Sequence, residues 1–184
     1  MERALVLIDI QNDYFPGGRN ELFAPEQAAL CAARVLQRFR QNGWSVCHIQ
    51  HVSTSSTSTF FLPGTPGVEI YGAVAPQSGE TVFVKHAPNA FFETGFLQAL
   101  QGRGIRELVI CGMMSHMCVD TSVRAARDYG LPVTLLHDAC ATKDLVWQGN
   151  TIPAQDVHAA YMAALDGSFA RVVSTEEFLQ ELAR

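Results

Sequence analysis

Short runs of β-branched and aliphatic residues alternate along this chain with amphipathic stretches, and no other feature constrains the fold as much. Leu5-Val6-Leu7-Ile8 comes first, then a helical pattern over 25–42, then strand-like runs from Ser45 to Val52 and from Thr81 to Lys85, and so on to the C-terminus. Strands joined through helices cross over right-handedly, so the pattern predicts parallel pairing. The first run has no polar residue at alternate positions, which is expected of a strand buried on both faces.

Over 25–42, Pro25 stands in the first turn, Ala29, Ala32, Ala33, Leu36 and Phe39 form the apolar stripe, and Gly43 follows the end. Further on, Glu107 to Cys111 reads as a strand, Val119 to Tyr129 as a helix closed by Gly130, and Pro132 to His137 as a strand. Ala154 to Leu165 reads as a helix, Phe169 to Val173 as a strand, and Ser174-x-x-Glu177 as a capping box opening the last helix. Six strands result. The expected fold is an α/β three-layer α/β/α sandwich with a six-stranded, mostly parallel sheet in the Rossmann-like order 3-2-1-4-5-6. A chain of 184 residues can bury one sizeable core, so a single domain over 1–184 is expected. Residues 53–80 are rich in Ser, Thr, Gly and Pro without a period, and a loop of that length is expected to be functional or mobile.

The net charge of -5 is spread over interspersed acids and bases, with no basic stripe to neutralise phosphates, which argues against nucleic acid as a partner. The apolar run Ala4 to Ile8 is too short for a signal-peptide core or a membrane span, so no membrane association is expected. Cys31, Cys47, Cys111, Cys118 and Cys140 are odd in number and widely spread. They suggest neither a disulfide framework nor a zinc ribbon, and a reducing, cytoplasmic location fits them.

Three candidate groups fall at strand ends on the carboxyl edge of a parallel sheet, where open α/β folds bind ligands: Asp9, Lys85 and Cys118. Cys118 lies in the strand-to-helix turn Gly112-Met113-Met114-Ser115-His116-Met117-Cys118-Val119. Unpaired N–H groups and a nearby lysine there would favour the thiolate, the nucleophilic form. The other four cysteines read as small buried hydrophobes. Asp9, at the end of a doubly buried strand, must either raise its pKa or find a cation. The ordinary alternative, a loop-capping aspartate, suits Asp13 better, and a strand-end lysine snorkelling to water is the alternative for Lys85.

In order and spacing these residues resemble the isochorismatase-like cysteine hydrolases, a family that includes nicotinamidases and several carbamoyl and cyclic-amide hydrolases. The resemblance rests on Ala4 to Asp13, Lys85-x5-Phe91-x2-Thr94, Gly112-x5-Cys118-Val119-x-Thr121 and Asp138-Ala139, and so spans nearly the whole chain. It implies a triad in which Asp9 takes the thiol proton, Lys85 supports the charged pair and Cys118 attacks a carbonyl. The leaving amine is then protonated from Asp9, and water resolves the thioester. It also implies an oxyanion hole from the backbone N–H groups of Met114 and Cys118, a cis peptide at Met113–Met114, and assembly as a homodimer or tetramer.

Nicotinamidase-like members hold a metal through Asp-x-His near the second strand. Here that region reads His48-Ile49-Gln50-His51, with no aspartate and with the two histidines on opposite faces of a strand, so neither a metal nor any other cofactor is expected. His51 reads as a packed strand-end residue or a wall of the site. A cysteine nucleophile points to amide or imide hydrolysis of a small substrate, cyclic ones included, with vinyl-ether hydrolysis of an isochorismate-like acid, or ligand binding without catalysis, as the alternatives. Gln11, Tyr14, Phe15, Phe91, His116 and Trp147 are the candidate substrate contacts, a lining suited to a flat ligand. For Phe92 and Trp147, packing in a core or an interface is an equal reading.

Overall fold

β1 (Arg3–Ile8) runs through the middle of the computed structural model, which describes residues 2–183, and its neighbours explain its unbroken apolar sequence. It pairs in parallel with β2 (Ser45–His51) on one side and β4 (Glu107–Met113) on the other. Ala4, Val6 and Ile8 face one layer while Leu5 and Leu7 face the other, and all five are buried. Beyond β2 lies β3 (Thr81–Lys85). Beyond β4 lie β5 (Val133–Ala141) and β8 (Arg171–Val173), giving the order β3-β2-β1-β4-β5-β8 with every pairing parallel. Counted within this sheet alone, that is the expected 3-2-1-4-5-6 order.

α1 (Pro25–Gln41) and α5 (Thr175–Glu181) cover one face, and α2 (Phe96–Gly102), α3 (Asp120–Asp128) and α4 (Ala154–Leu165) cover the other. The buried stripe of α1 is Ala28, Ala29, Ala32, Val35, Leu36 and Phe39, whereas Ala33 is only partly covered. Each of Val35, Leu36 and Phe39 contributes about 1.5–3 kcal/mol by leaving water, so a charge at Leu36 would lift α1 from the sheet. At the start of α5 the capping box is formed: the Ser174 side chain accepts from the Glu177 N–H, and the Glu177 carboxylate accepts from the Ser174 N–H.

The structure departs from the sequence pattern in several places. The helix expected from Val119 begins at Asp120, because Ser115–Val119 forms one π-helical turn in which the Val119 N–H reaches the Met114 carbonyl. β5 continues past His137 to Ala141 although Asp138-Ala139-Cys140-Ala141 has no β-branched residue. After a bulge it pairs through Cys140 and Ala141 with Gly112 and Met113, so tertiary pairing overrides propensity. The last strand of the sheet is shorter than Phe169 to Val173, and α2 and the small antiparallel hairpin of β6 (Leu145–Trp147) and β7 (Asn150–Ile152) are additional elements.

Residues 53–80 are packed rather than loose. Two 3-10 turns, Pro66–Val68 and Gly72–Val74, punctuate the segment, and Phe61, Val68 and Val74 are buried in the core on the α1 face. Asp13 ties this segment to the loop after β1: its carboxylate accepts the Phe61 N–H at 2.6 Å and the Arg19 N–H at 3.2 Å. Gly67 passes so close to that carboxylate that a Cβ there would overlap it. Among the described residues, no helix is long and apolar enough to cross a membrane.

Candidate active site

The carboxyl ends of β1, β2, β3 and β4 meet around one lysine. β3 lies two strands from β1, about 10 Å at the usual spacing, and β2 intervenes. β2 ends at His51, which pairs in register with Lys85, so the Lys85 side chain passes over the end of β2 toward β1. Its Nζ lies 2.8 Å from Asp9 Oδ2 and 3.2 Å from Cys118 Sγ. The same ammonium lies 2.9 Å from His51 Nδ1 and donates to the Ala87 carbonyl at 3.0 Å. Asp9 is fully buried, and Lys85 and Cys118 keep 1% and 5% of their surface, so the charges interact where water screens them little.

Asp9 reaches this position by leaving its strand in the left-handed region at φ 50°, a conformation aspartate tolerates better than most residues. Its N–H still bonds to the Ile49 carbonyl, which anchors the turn to β2. The contact with Lys85 is an ion pair between two fully buried side chains. Burial raises the Asp9 pKa and the Lys85 charge pulls it only part of the way back. Burial opposes the Lys85 charge, but Asp9 and Cys118 outweigh it and hold the ammonium above its ordinary pKa.

Cys118 behaves differently from the sequence expectation of a stabilised thiolate. Burial pushes its thiol well up, the Asp9 carboxylate adds to the shift, and Lys85 opposes both. The π-turn before α3 replaces the regular helix N-terminus on which the opposite expectation rested. A thiol in this place must lose its proton before the sulfur can attack, and Asp9, its carboxyl raised by burial, stands beside it.

The backbone that carries Cys118 is tightly fixed. At Gly112, with φ 137°, β4 approaches β1 so closely that a Cβ would overlap the Ile8 carbonyl oxygen. The Met113–Met114 peptide is cis, and Met114 and Cys118 lie on either side of the turn between β4 and α3. Ser115 Oγ lies 2.8 Å from His158 Nδ1 of α4, and His116 Nδ1 lies 2.6 Å from Thr142 Oγ1, so both residues brace the turn from behind.

The candidate substrate contacts separate into groups. Tyr14 is buried against Phe60 and Phe61, and burial raises its phenol well above the ordinary value, with Cys118 and Asp9 adding to the shift because they lie near. Phe15 stacks on Tyr71 at 3.6 Å, and Phe91 packs on Phe96 and Tyr129 in the core that also holds Cys118. Gln11 directs its amide at backbone: Nε2 donates to the carbonyls of His51 at 2.8 Å and Val68 at 2.7 Å, and Oε1 accepts the His51 N–H at 2.8 Å. Trp147 is 68% exposed on the β6–β7 hairpin, and Phe92 is also exposed. A cavity of about 240 Å³ lies between the start of α1, the end of β5 and α4, lined by Phe23, Gln27, Cys140 and His158 among others. Asp9, Lys85 and Cys118 are not among its lining residues.

The residue that sequence reasoning undervalued is His51. Spacing placed it on the opposite face from His48, which bonds to Glu80, but gave no sign that it would meet Lys85. The one available signal was its position at the end of a strand flanking β1. Among the described residues, Asp9, His51 and Cys118 form the one group of ligand atoms close enough to share a metal ion, all within 4.8 Å of one another. The Lys85 ammonium contacts all three, so a cation is already built into that space.

Residues 3–177 match the model of the isochorismatase domain. The chain is 50% identical over 180 residues to the isochorismatase family protein YddQ of Bacillus subtilis (strain 168), covering 98% of this chain and all of that one. A solved isochorismatase hydrolase from Oleispira antarctica superposes with a TM-score of 0.93 at 46% identity, over 97% of this chain and 96% of the other. A ureidoacrylate amidohydrolase, RutB of Azorhizobium caulinodans, is 28% identical over 171 residues, three quarters of either chain.

Proposed function

The chain belongs to the isochorismatase family of hydrolases, and on that premise we propose that it cleaves the C–N bond of a small amide or imide through a thioester on Cys118. One observation carries the reading: a buried ammonium in contact with a buried carboxylate at 2.8 Å and a buried thiol at 3.2 Å. The likeness to a ureidoacrylate amidohydrolase supports C–N rather than vinyl-ether chemistry.

In this reading Asp9 takes the Cys118 proton and Lys85 compensates the resulting thiolate. The sulfur adds to the carbonyl carbon, and the oxygen charge is met by the N–H groups of Met114 and Cys118. The amine leaves with the proton held on Asp9. Water then gives a proton to the same carboxylate as it attacks the thioester, and the released thiolate recovers that proton with the acid product gone. Tyr14 and Phe91 offer walls for a flat ring, and only 5% of Cys118 is exposed. A dimer or tetramer in the cytoplasm belongs to the same proposal, to be read by sedimentation and cell fractionation.

The test is turnover of an amide and imide panel with intact-mass detection of an acyl adduct, wild type against Cys118→Ala. The expected result is an adduct and turnover in the wild type only. Turnover that survives the substitution rejects the nucleophile, and cleavage of a vinyl ether without any adduct rejects the amide reading.

A further inference from the structure

Lys85 has three N–H groups and four acceptors within 3.2 Å, namely Asp9 Oδ2, His51 Nδ1, the Ala87 carbonyl and Cys118 Sγ. Three of the contacts are aligned hydrogen bonds, to His51, Ala87 and Cys118. The fourth, to Asp9, is a close ion pair at 2.8 Å. We propose that His51 is a positioning residue: with the Ala87 carbonyl it fixes two N–H groups of Lys85, leaving a single N–H that follows the negative charge between Cys118 and Asp9. This assignment rests on the thioester reading above and deepens it.

The consequence is a matched proton inventory. When the thiol proton passes to Asp9, the Sγ anion takes the one mobile N–H and Asp9 is neutral. When the proton returns to sulfur, the same N–H is free to swing to the Asp9 carboxylate. No proton is lost in either direction. An unoccupied second N–H would turn permanently to Asp9 and reduce its basicity, because a donor to the charged form favours that form.

Two further observations support the role. His51 must be neutral for Nδ1 to accept, and burial followed by repulsion from Lys85 and His86 lowers its pKa to about 4, so the imidazole is uncharged at neutral pH with its proton on Nε2. Its backbone is also fixed on both sides, the N–H and the carbonyl each bonding to the Gln11 amide at 2.8 Å. Gln11 thus sets the position of His51, and His51 the direction of Lys85.

The experiment compares wild type, His51→Leu, which removes the acceptor, and His51→Asn, whose Oδ1 can take the place of Nδ1. It reads the rate of Cys118 alkylation by iodoacetamide against pH and, with an amide substrate, kcat and KM against pH. Loss of the acceptor should slow alkylation and kcat at least about tenfold, the scale of one hydrogen bond, move the acid limb to lower pH, and leave KM nearly unchanged. His51→Asn should recover most of the rate. An unchanged profile in His51→Leu overturns the proposal, as does equal impairment of both variants, which would mean that the ring only packs. Should the leucine variant fail to fold, His51→Met serves in its place. Alkylation needs no substrate, so it decides the role of His51 even if no amide is turned over, whereas absent turnover with an intact alkylation pattern counts against the amidase reading alone.

Discussion

Replacing Lys85 by methionine keeps an arm of similar length while deleting the charge, and the structure sets the size of the effect. Both partners of the ion pair have fully buried side chains, and breaking such a pair from one side costs about 3–5 kcal/mol. A second route gives the same scale. Asp9 can escape an uncompensated charge only by binding a proton, and neutralising a carboxyl of ordinary pKa about 3.9 at pH about 7 costs about 4 kcal/mol, or about 1.4 kcal/mol per pH unit. In the variant the Asp9 pKa lies above its unfolded value, so the neutral acid stabilises the fold at low pH and this contribution is lost as pH rises. The deficit against wild type should therefore shrink from about 4 kcal/mol near pH 7 to about 1.5 kcal/mol near pH 5. Urea unfolding followed by tryptophan fluorescence at several pH values measures it, and the pair Asp9→Asn with Lys85→Met should lose the pH dependence. A deficit under about 1 kcal/mol, or one indifferent to pH, would refute a buried, charged pair.

At the opposite edge of the sheet, burial works against the Glu80 charge, but Arg40 at 2.7 Å, the Gln77 N–H and His48 outweigh it and hold its carboxyl at about 2. A depressed pKa adds stability above the unfolded value and loses it on acidification. Glu80→Gln should therefore cost about 1–3 kcal/mol at neutral pH, a difference that fades between about 4.5 and 2 in acid-unfolding curves. Gly112→Ala combines a positive φ with overlap on the Ile8 carbonyl, and a loss above about 3 kcal/mol in the same urea assay is expected. Prolonged chelation should leave hydrolysis of any amide that the proposed test finds turned over unchanged, because Lys85 contacts Asp9, His51 and Cys118 alike; a rate restored only by an added divalent ion would contradict this.

The unbroken run from Ala4 to Ile8 carried the parallel sheet, since only a strand with a layer on each side hides all five side chains. Asp9, Lys85 and Cys118 were legible for a related reason: each ends or follows a strand whose carboxyl edge the pattern had already located. What the pattern lacked was distance. Nothing in Lys85-His86-Ala87 says that the ammonium crosses β2 to reach Asp9, or that His51 waits under its path, because both follow from strand stagger and from the Gln11 clamp. The same gap explains Gln11, whose amide bonds to backbone brought near by a segment without period, and Trp147, whose hairpin forms from three-residue strands too short to announce themselves. The thiol shift was misjudged because the π-turn and the near-complete burial of Cys118 arise from the junction of β4 with α3, which no local window contains.

The way β1 serves two cores has a kinetic corollary. Asp9 hangs from its end, while Lys85 and Cys118 arrive from strands that must first close long loops on either side of it, and such non-local pairing is the slow part of chain ordering. Loss of Cys118 alkylation after dilution from denaturant should lag the helical signal, making the sulfur a late clock for completion of the whole sheet.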